Sequence, residues 1–453
     1  MNYPIVINDF TIICAALLLI VTLLSALFNP FLRFRKPADS TVMPGDNDSS
    51  GNEAQPVDSS SDATATDAVS SDAVSSDAVS SDAVSSDATA IDAPSSSDAP
   101  LRLQQEAKDD IPVSIILTPH DEAELLETNL PLLLNQDYCA DYQVIVVIDQ
   151  DGHDTEDAIK RIQHQLDEHP GHASLYMTYI PESSRYMSRK KLAITLGVKA
   201  ARTEWVLLTE AYTAPASTLW LRTMTAHCND YTQMVIGYGA YADEASSFKR
   251  FERLNMAYYL MREDAHGKAY RTQSHNLLMR KSAFMAQEGF RGSLNLIRGE
   301  YDYLVNKFAT SDGTVLVTDQ AAWMIDKAPE KKTWLNKHIF YMETRKWLSG
   351  SFRHRVWFNI DNLLLHLNLW LIIAGIVYGA VTFNIIVGAA ALLALLLTVI
   401  VRAVVGHKAA KAFGERIPFL AIYPYELSLV WHNVGYMLRH RFANKLDFTT
   451  HKQ

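Results

Sequence analysis

Four strand-like runs, separated by helix-like segments, constrain the fold of this chain more than any other feature. The runs are Val113–Leu117, Val144–Ile148, Leu175–Ile180 and Trp205–Leu208. The first, second and fourth are apolar on both alternating faces, as in strands that are covered on both sides. Strand and helix in turn predict an α/β domain with a mostly parallel sheet and right-handed crossovers.

The acidic residue Glu210 directly follows the last of these runs. In open α/β sheets ligands bind at the carboxyl ends of the strands, so a nucleotide or a metal ion would meet Glu210 there. A solvated turn residue is the alternative for Glu210, and Pro215 is expected to prevent a return to the ladder of the preceding strand. No G-x-G-x-x-G and no G-x-x-x-x-G-K-S/T follows any of the strands. Dinucleotide binding and P-loop hydrolysis are therefore poor candidates.

Three apolar segments, 11–28, 363–380 and 385–405, are long enough to cross a membrane as helices. Basic residues follow the first segment, which predicts an uncleaved anchor with the following chain in the cytoplasm. The other two predict a helical hairpin that returns to the same side. The apolar segment 417–438 contains two prolines, Glu426 and His432. We expect it to be interfacial or re-entrant rather than a fourth span.

Residues 37–110 differ in composition from the rest of the chain. They are rich in Ser, Asp, Ala and Thr, lack aromatic residues, and carry 16 acidic against two basic side chains. We expect a disordered tether, which is either a spacer or docking tail, or an expanded repeat without a partner. The expected domains are thus an anchor (1–36), this linker (37–110), the α/β domain (111–358) and a carboxyl-terminal membrane region (359–453).

The three cysteines, Cys14, Cys139 and Cys228, are far apart in the sequence. Their spacing predicts neither a disulfide framework nor a zinc site, in agreement with a reducing compartment.

Four segments of the α/β domain, in fixed order, resemble a known family. They read P-V-S-I-I-L-T-P-H-D-E, Q-V-I-V-V-I-D-Q-D-G, S-R-K-K-L-A-I-T-L-G-V-K-A-A and E-W-V-L-L-T-E-A-Y-T-A-P. The set resembles the nucleotide-binding half of membrane-bound family-2 glycosyltransferases with the GT-A fold, over residues 111–347. The resemblance implies a nucleotide-sugar donor, a lipid-linked or polysaccharide acceptor, and a multi-pass protein of the inner membrane whose catalytic domain faces the cytoplasm. We expect no nucleic-acid partner.

The resemblance also implies roles for individual residues. Asp149 would hold the nucleoside, Glu122 would lie among the nucleotide contacts, and Lys190 or Lys191 would attract the diphosphate. The family's D-x-D metal motif corresponds to residues 210–212, so Glu210 alone would hold Mg2+ or Mn2+, weakly. A helix cap is the alternative role for Asp149.

The family's general base lies in an acidic cluster after a glycine, which corresponds here to residues 299–303. Tyr301 stands closest to the position of the base, and its ordinary pKa of about 10 suits that role poorly. Glu300 and Asp302 are therefore the candidate catalytic carboxylates. Both could instead be residues that start a helix. The glycines of a further family segment are absent at residues 272–276, and the family's Q-x-x-R-W is E-T-R-K-W at residues 343–347.

Two functions of different classes follow from these residues. The first is a membrane-anchored, inverting glycosyltransferase. The second is a catalytically inactive relative that keeps the fold and serves as a scaffold or partner in an envelope-polysaccharide assembly. A transporter or channel is disfavoured because, apart from His366, we expect no pair of buried charges in the apolar segments.

Overall fold

The computed structural model describes residues 8–33, 111–169, 171–181, 188–265 and 268–448 of the 453-residue chain. The linker predicted over 37–110 lies outside the described residues. Helix α1 (Asp9–Leu27) is capped by the Asn8 side chain, which accepts a hydrogen bond from the Thr11 backbone N–H at 2.8 Å. A short helix, α2 (Pro30–Arg33), follows it.

The first half of the α/β domain alternates strand and helix as predicted. Its elements are β1 (Val113–Leu117), α3 (Ala123–Leu134), β2 (Tyr142–Asp149), α4 (His153–Glu168), β3 (Ala173–Ile180), α5 (Arg189–Ala200) and β4 (Trp205–Thr209). Strands β1 and β4 are buried along their whole length, and β2 is buried except at Asp149. These strands therefore lie in the apolar core, and polar residues begin at their carboxyl ends.

The second half contains shorter elements. They are β5 (Thr213–Pro215), α6 (Trp220–Thr225), β6 (Met234–Gly237), β7 (Gly239–Tyr241), α7 (Ser247–Ala265), β8 (Leu277–Arg280), α8 (Lys281–Ala286), α9 (Glu300–Phe308), β9 (Thr314–Val317), β10 (Met324–Asp326) and α10 (Lys331–Thr344). Several of these strands have only three or four residues, so their positions depend on pairing with distant parts of the chain.

The main sheet has the strand order β3-β2-β1-β4-β8-β6-β9. The pairs β3–β2, β2–β1, β1–β4 and β6–β9 are parallel, and β8 runs antiparallel to both of its neighbours. Alternate strand residues pack on opposite faces: Ile115 lies in the core cluster that contains residues of α3 and α4, and Ile116 lies in the cluster that contains residues of α5 and α9. The predicted α/β class with a mostly parallel sheet is confirmed.

A second sheet has the order β5-β10-β7. Pro215 belongs to its edge strand and stands opposite Met324, in an antiparallel pair. The chain thus does not return to the ladder of β4 at Pro215, as expected, although Pro215 itself pairs in the second sheet. A proline is accommodated at an edge strand because no neighbour requires its missing N–H.

Three helices in the described part of the chain are long and apolar enough to cross a membrane: α1, α11 (Ser351–Val381) and α12 (Ile385–Ala412). The predicted segments 363–380 and 385–405 lie within the last two. Both helices are longer than predicted because their basic and polar flanks continue the helix. Helix α13 (Ile422–Phe442) does not have this combination of length and apolarity.

Polar side chains connect the three long helices. Asn368 of α11 accepts a hydrogen bond from Thr22 of α1 at 2.9 Å and donates one to Thr398 of α12 at 2.8 Å. All three residues are buried. A satisfied amide between three apolar helices fixes how they pack against one another.

A buried ionic cluster connects the long helices to the α/β domain. Arg402 of α12 donates hydrogen bonds to Glu426 of α13 at 2.8 Å and to the Ser25 carbonyl of α1 at 2.7 Å. Its guanidinium also lies 3.5 Å from Asp361 of α11, which accepts a hydrogen bond from Tyr259 of α7 at 2.8 Å. Five helices thus meet at one arginine. The expectation that the apolar segments contain no pair of buried charges was therefore wrong, since Arg402 and Glu426 form one.

Candidate active site

Strands β1, β2 and β4 are parallel neighbours, so their carboxyl ends lie on one edge of the sheet. Leu117 at the end of β1 is paired with Val146 of β2 on one side and with Thr209 of β4 on the other. The residues that follow these strands include Glu122, Asp149 and Glu210. The sheet topology therefore brings three of the predicted site residues to one place.

Glu210 is held in a tight turn after β4. Its carbonyl accepts hydrogen bonds from the backbone N–H and the hydroxyl of Thr213, at 3.1 and 2.8 Å. Its side chain is only 1% exposed, and Oε2 accepts a hydrogen bond from the Lys190 Nζ at 2.5 Å. The other oxygen, Oε1, is buried and accepts no hydrogen bond from any residue that the structure describes.

Lys190 lies in the first turn of α5, a helix that is capped by the Ser188 hydroxyl. Burial would lower the pKa of Lys190, but the carboxylates of Glu210, Glu300 and Glu122 outweigh it and raise that pKa above its ordinary value. Lys190 is therefore a firmly protonated ammonium surrounded by three carboxylates.

Glu122 immediately precedes α3, and its carboxyl group is less acidic than an ordinary glutamate. Burial, followed by repulsion from Glu210, raises its pKa from 4.5 to about 7, although Lys190 opposes the shift. At neutral pH this side chain exists in both protonation states. It can therefore accept or donate a hydrogen bond.

Asp149 is the last residue of β2, and its carboxylate is shared between two bases. Oδ1 accepts a hydrogen bond from Arg189 Nε at 2.9 Å, and Oδ2 lies 2.9 Å from Nδ1 of His120. The Asp149 side chain does not cap α4, which begins after Gly152 without any side-chain cap. The capping role considered for Asp149 is thus absent, and its carboxylate faces the loop after β1 and the start of α5.

Lys191 points away from these carboxylates. Its Nζ donates to the carbonyls of Ser293 and Leu296, at 2.6 and 2.7 Å, and the residue has no exposed surface. Burial lowers the pKa of Lys191 to about 8. Successive residues of a helix point about 100° apart, so only one of the two lysines can face Glu210. Lys190 does so, and Lys191 anchors the loop that leads to α9.

The start of α9 brings Glu300 and Tyr301 to the same region. Glu300 is the first residue of the helix, and its Oε2 accepts a hydrogen bond from the Gly299 backbone N–H at 3.1 Å. Tyr301 is buried, and burial together with the nearby Glu210 carboxylate raises the pKa of its phenol well above the ordinary value. Tyr301 therefore stays protonated, which suits a hydrogen-bond donor and not a general base.

Asp302 lies in a second cluster, beside the first. Its Oδ1 lies 3.3 Å from Nε of Arg271, yet burial outweighs that attraction and raises the pKa of Asp302. His275 joins the two clusters: its ring lies edge-on to Tyr301 at 5.0 Å, and its Nδ1 lies 3.7 Å from Oδ2 of Asp326. The two candidate bases thus lie on different sides of Tyr301.

The donor set suits a divalent cation only in part. Among the described residues, no group of three or more His, Cys, Asp or Glu side chains is arranged to hold a metal ion. Glu210 nevertheless offers one buried oxygen, Oε1, without a hydrogen-bond partner in the described chain. A cation that takes its other ligands from phosphates and water needs one such carboxylate, as is common for Mg2+.

Several residues of this region were not predicted. Arg189 and His120, the partners of Asp149, stand in the motif segments that carry the resemblance, so their charge next to the candidate residues was an available signal. Arg271 and Lys337, near Asp302, lie outside any motif. Only the folding of α7, α9 and α10 around them brings them together.

No protein-family model and no curated protein matches this sequence. Among solved structures, the chain is similar to the mannosyltransferase PcManGT from Pyrobaculum calidifontis in complex with GDP-Man and Mn2+, with a TM-score of 0.41 and 16% identity over 71% of this chain and 86% of that one. It is similar to S. aureus TarS in complex with UDP-GlcNAc, with a TM-score of 0.36 and 12% identity over 71% and 92% of the two chains. For GalNAc-T7 with UDP, GalNAc and Mn2+ the TM-score is 0.34, at 10% identity over 49% and 44%.

Proposed function

We propose that this protein is a membrane-anchored family-2 glycosyltransferase that transfers a sugar from a nucleotide-sugar donor to a lipid-linked or polysaccharide acceptor. The observation that carries the proposal is the position of Lys190. Its ammonium lies among Glu122, Glu210 and Glu300 at the carboxyl ends of parallel strands, with the Asp149–Arg189 pair beside it. An edge of this kind, with paired acids and bases, suits a nucleoside diphosphate.

In this proposal the acids and bases at the start of α5 exchange partners when the donor binds. Asp149 and Glu122 accept hydrogen bonds from the nucleoside, and Arg189 and Lys190 turn toward the diphosphate. A guanidinium and an ammonium are both strong phosphate ligands. The diphosphate would therefore replace the carboxylates as the anionic partner of Arg189 and Lys190.

Glu210 would hold a divalent cation, Mg2+ or Mn2+, through its Oε1. When bound, such a cation would neutralise charge on the diphosphate leaving group. Before the donor binds, Lys190 contacts the other oxygen of the same carboxylate and orients Glu210. Lys190 also adds its own positive charge beside the leaving group.

Transfer with inversion requires a carboxylate that takes the proton of the acceptor hydroxyl. The hydroxyl oxygen attacks the anomeric carbon, the bond from that carbon to the diphosphate oxygen breaks, and the proton passes to Glu300 or Asp302. The raised pKa of Asp302 favours accepting a proton, and the proximity of Glu300 to Lys190 favours a role near the donor. We therefore propose Asp302 as the first candidate for the base.

The three apolar helices support a multi-pass location in the inner membrane. The proposed domains are the anchor (1–36), the linker (37–110), the cytoplasmic glycosyltransferase domain (111–358) and the membrane hairpin with its interfacial helix (359–453). The ionic cluster at Arg402 would hold the catalytic domain close to the membrane, where a lipid-linked acceptor is available.

The test is donor binding and hydrolysis by the purified full-length protein with UDP- and GDP-sugars, with and without Mn2+ or Mg2+. We expect binding by the wild type, much weaker binding by Glu210→Ala, and intact binding without turnover by Asp302→Asn. Glu204→Ala is the matched control, because Glu204 is an exposed acid at the other end of the same strand. Binding that is equal in wild type, Glu210→Ala and Glu204→Ala would exclude this site.

A non-catalytic, scaffolding protein is the second candidate. The specific observation in its favour is that two tyrosines, Tyr212 and Tyr301, stand where the family resemblance implies carboxylates, and both phenols are held neutral by burial. Nucleotide-sugar binding that depends on Glu210, with no turnover for any acceptor extract and no effect of Asp302→Asn, would support this candidate over the enzyme.

A further inference from the structure

A second basic cluster lies beyond Tyr301, and the proposed donor site does not use it. It consists of Arg253, Arg271 and Lys337, from α7, the segment before β8, and α10. The two acids beside it are Asp302 and Asp326. Lys337 lies four residues before Tyr341 in α10, on the same helix face, and the Tyr341 ring lies under the Arg271 guanidinium at 3.7 Å. The Lys337 ammonium interacts electrostatically with all four of the other side chains.

The two guanidiniums of this cluster already have partners. Arg253 donates a hydrogen bond to Asp326 at 2.6 Å and lies over the ring of Tyr241 at 3.4 Å. Arg271 lies 3.3 Å from Asp302 and over the ring of Tyr341 at 3.7 Å. Both arginines are buried. They are fixed positive charges that cannot move to other partners without breaking these contacts.

Lys337 differs from the arginines in its contacts. It makes no hydrogen bond or ion pair with any residue in the described chain, and it is exposed. Loss of hydration and repulsion by Arg253 lower the pKa of Lys337 to about 8. The cluster contains three basic and two acidic side chains, and the two acids are already partners of the two guanidiniums. One positive charge is thus left without its own counter-charge, and an anion would supply it.

The cluster lies next to the start of a membrane helix. Tyr270, which precedes Arg271 in sequence, places its ring 5.1 Å from the ring of His354 in the first turn of α11. Its hydroxyl lies 3.3 Å from that of Tyr341, the residue under Arg271. Helix α11 is one of the three helices that can span a membrane. An anion bound here would be at the membrane surface.

We propose that Lys337, supported by Arg271 and Arg253, binds the phosphate of a lipid-linked acceptor. This inference rests on the proposed function and narrows it, because it selects an anionic acceptor at the membrane over a neutral polysaccharide. The proposed base, Asp302, is the partner of Arg271, so a hydroxyl or phosphate oxygen of the acceptor would arrive beside it. A carboxylate on a polysaccharide is the other source of the same chemistry, and the test separates the two.

The test uses the purified full-length protein in detergent, with farnesyl phosphate as the probe and farnesol and glucuronate as comparisons. We expect farnesyl phosphate to bind at least about tenfold more tightly than farnesol, since a charge-assisted contact is typically worth about 1.5–3 kcal/mol. Lys337→Gln should lose that difference, and Lys337→Arg should retain most of it. Lys332→Gln, at an exposed position five residues earlier in α10, should bind like the wild type.

A second readout follows the lysine itself. Amine acylation at pH 8, read by mass spectrometry, should modify Lys337, and farnesyl phosphate should protect it while leaving Lys332 equally modified. Thermal unfolding of each variant shows that it is folded, so a loss of binding can be assigned to the missing charge.

Three results would overturn the inference, and they are distinguishable. Equal affinity for farnesyl phosphate and farnesol, with nucleotide-sugar binding intact, excludes the anion site at Lys337 but leaves the proposed function standing. Protection of Lys337 by glucuronate but not by farnesyl phosphate excludes the lipid source. A wild-type protein that binds no nucleotide sugar overturns the proposed function and, with it, the acceptor role of Lys337.

Discussion

Lys190 and Lys191 are adjacent in sequence, but their ammonium groups have unlike partners. Lys190 contacts a carboxylate in the cleft, whereas Lys191 donates to two backbone carbonyls of the loop before α9. Sequence alone could not separate the two, because both belong to the same basic run. The position of the cap, Ser188, decides which of them faces the cleft.

We predict that substitutions at these two lysines have different effects. Lys191→Met should lower the free energy of unfolding by about 2–3 kcal/mol, because the buried Ser293 and Leu296 carbonyls lose their donor. Lys190→Gln should weaken nucleotide-sugar binding about tenfold or more, whereas Lys191→Met should leave that binding close to the wild-type level. Thermal unfolding and a binding titration, run on both variants, measure the two effects. The reverse pattern would assign the diphosphate to Lys191.

The raised pKa of Glu122 predicts how stability depends on pH. The folded state holds the Glu122 proton up to about pH 7, whereas an unfolded glutamate releases it near pH 4.5. The contribution of this group to stability is therefore fully present below about pH 4.5 and is lost as pH rises through about 7. Glu122→Gln should remove this loss of stability at high pH, because glutamine does not titrate. At pH 8 we expect the variant to be more stable than the wild type, on the order of 1–2 kcal/mol.

Apparent melting temperatures in detergent between pH 5 and pH 8 measure this difference. It should shrink toward pH 5, where the glutamate is mostly protonated in the folded protein. Glu124→Gln is the control, because Glu124 is exposed in the first turn of the same helix. A Glu122→Gln variant that is less stable than the wild type at pH 8 would contradict the prediction.

At the scale of elements, the start of α9 depends on Gly299. This glycine has a φ of +94°, and a Cβ there would lie 2.5 Å from the Thr344 methyl group in α10. The glycine therefore serves both the backbone conformation and the close approach of α10. It sets the position from which Glu300 and Tyr301 enter the site.

We predict that Gly299→Ala lowers the free energy of unfolding by about 1–3 kcal/mol, through strain and displacement of the first turn of α9. It should also weaken nucleotide-sugar binding, since Glu300 moves with that turn. Gly171→Ala is the control, because a Cβ at Gly171 meets nothing within 4 Å and its φ is not positive. Thermal unfolding and the same titration distinguish the two variants. Equal free energies of unfolding for both variants would contradict the prediction and would show that α10 moves to accommodate the methyl group without destabilising the protein.

The elements that could be predicted from sequence are those with long apolar runs. Strand β1 has the predicted bounds, and the ends of β2 and β4 differ from the predicted runs by two residues or fewer, because a continuous apolar run defines each strand. The three-residue strands β5, β7 and β10 could not be predicted. They exist only because Met324 pairs with Pro215 on one side and Gly239 on the other, more than 80 residues away along the chain.

The distinction between local and distant signals also applies to the site. Glu122, Asp149 and Glu210 were predictable because each follows a predicted strand. Asp302 was identified by its place after Gly299, but the sequence did not predict that Asp302 and Glu300 lie on different sides of Tyr301. Lys337 had no local signal at all, since a lysine in a polar helix is ordinarily a solvated residue. Its environment comes from α7, α9 and β10 together.

For the whole molecule, Arg402 is the residue that joins the long helices to the α/β domain. Glu426, Asp361 and the Ser25 carbonyl surround its guanidinium, and Tyr259 extends the network into α7. Ordinary packing of apolar helices would not fix the orientation of the α/β domain relative to them. Directional contacts to one buried charge can fix it, since each partner must keep its angle as well as its distance.

We predict that Arg402→Met lowers the free energy of unfolding by about 3–5 kcal/mol, because Glu426 and Asp361 are then buried without a counter-charge. Adding Glu426→Gln to that variant should restore part of the loss, since it removes one of the two unpaired carboxylates. Arg416→Met is the control, as Arg416 lies just beyond the same helix with its side chain 83% exposed. Unfolding of the full-length protein in detergent, followed by tryptophan fluorescence, measures all three. If Arg402→Met were as stable as the control, the cluster would not hold the helices and the α/β domain together, and the apolar contacts of α2, α12 and α13 with α7 would have to do so alone.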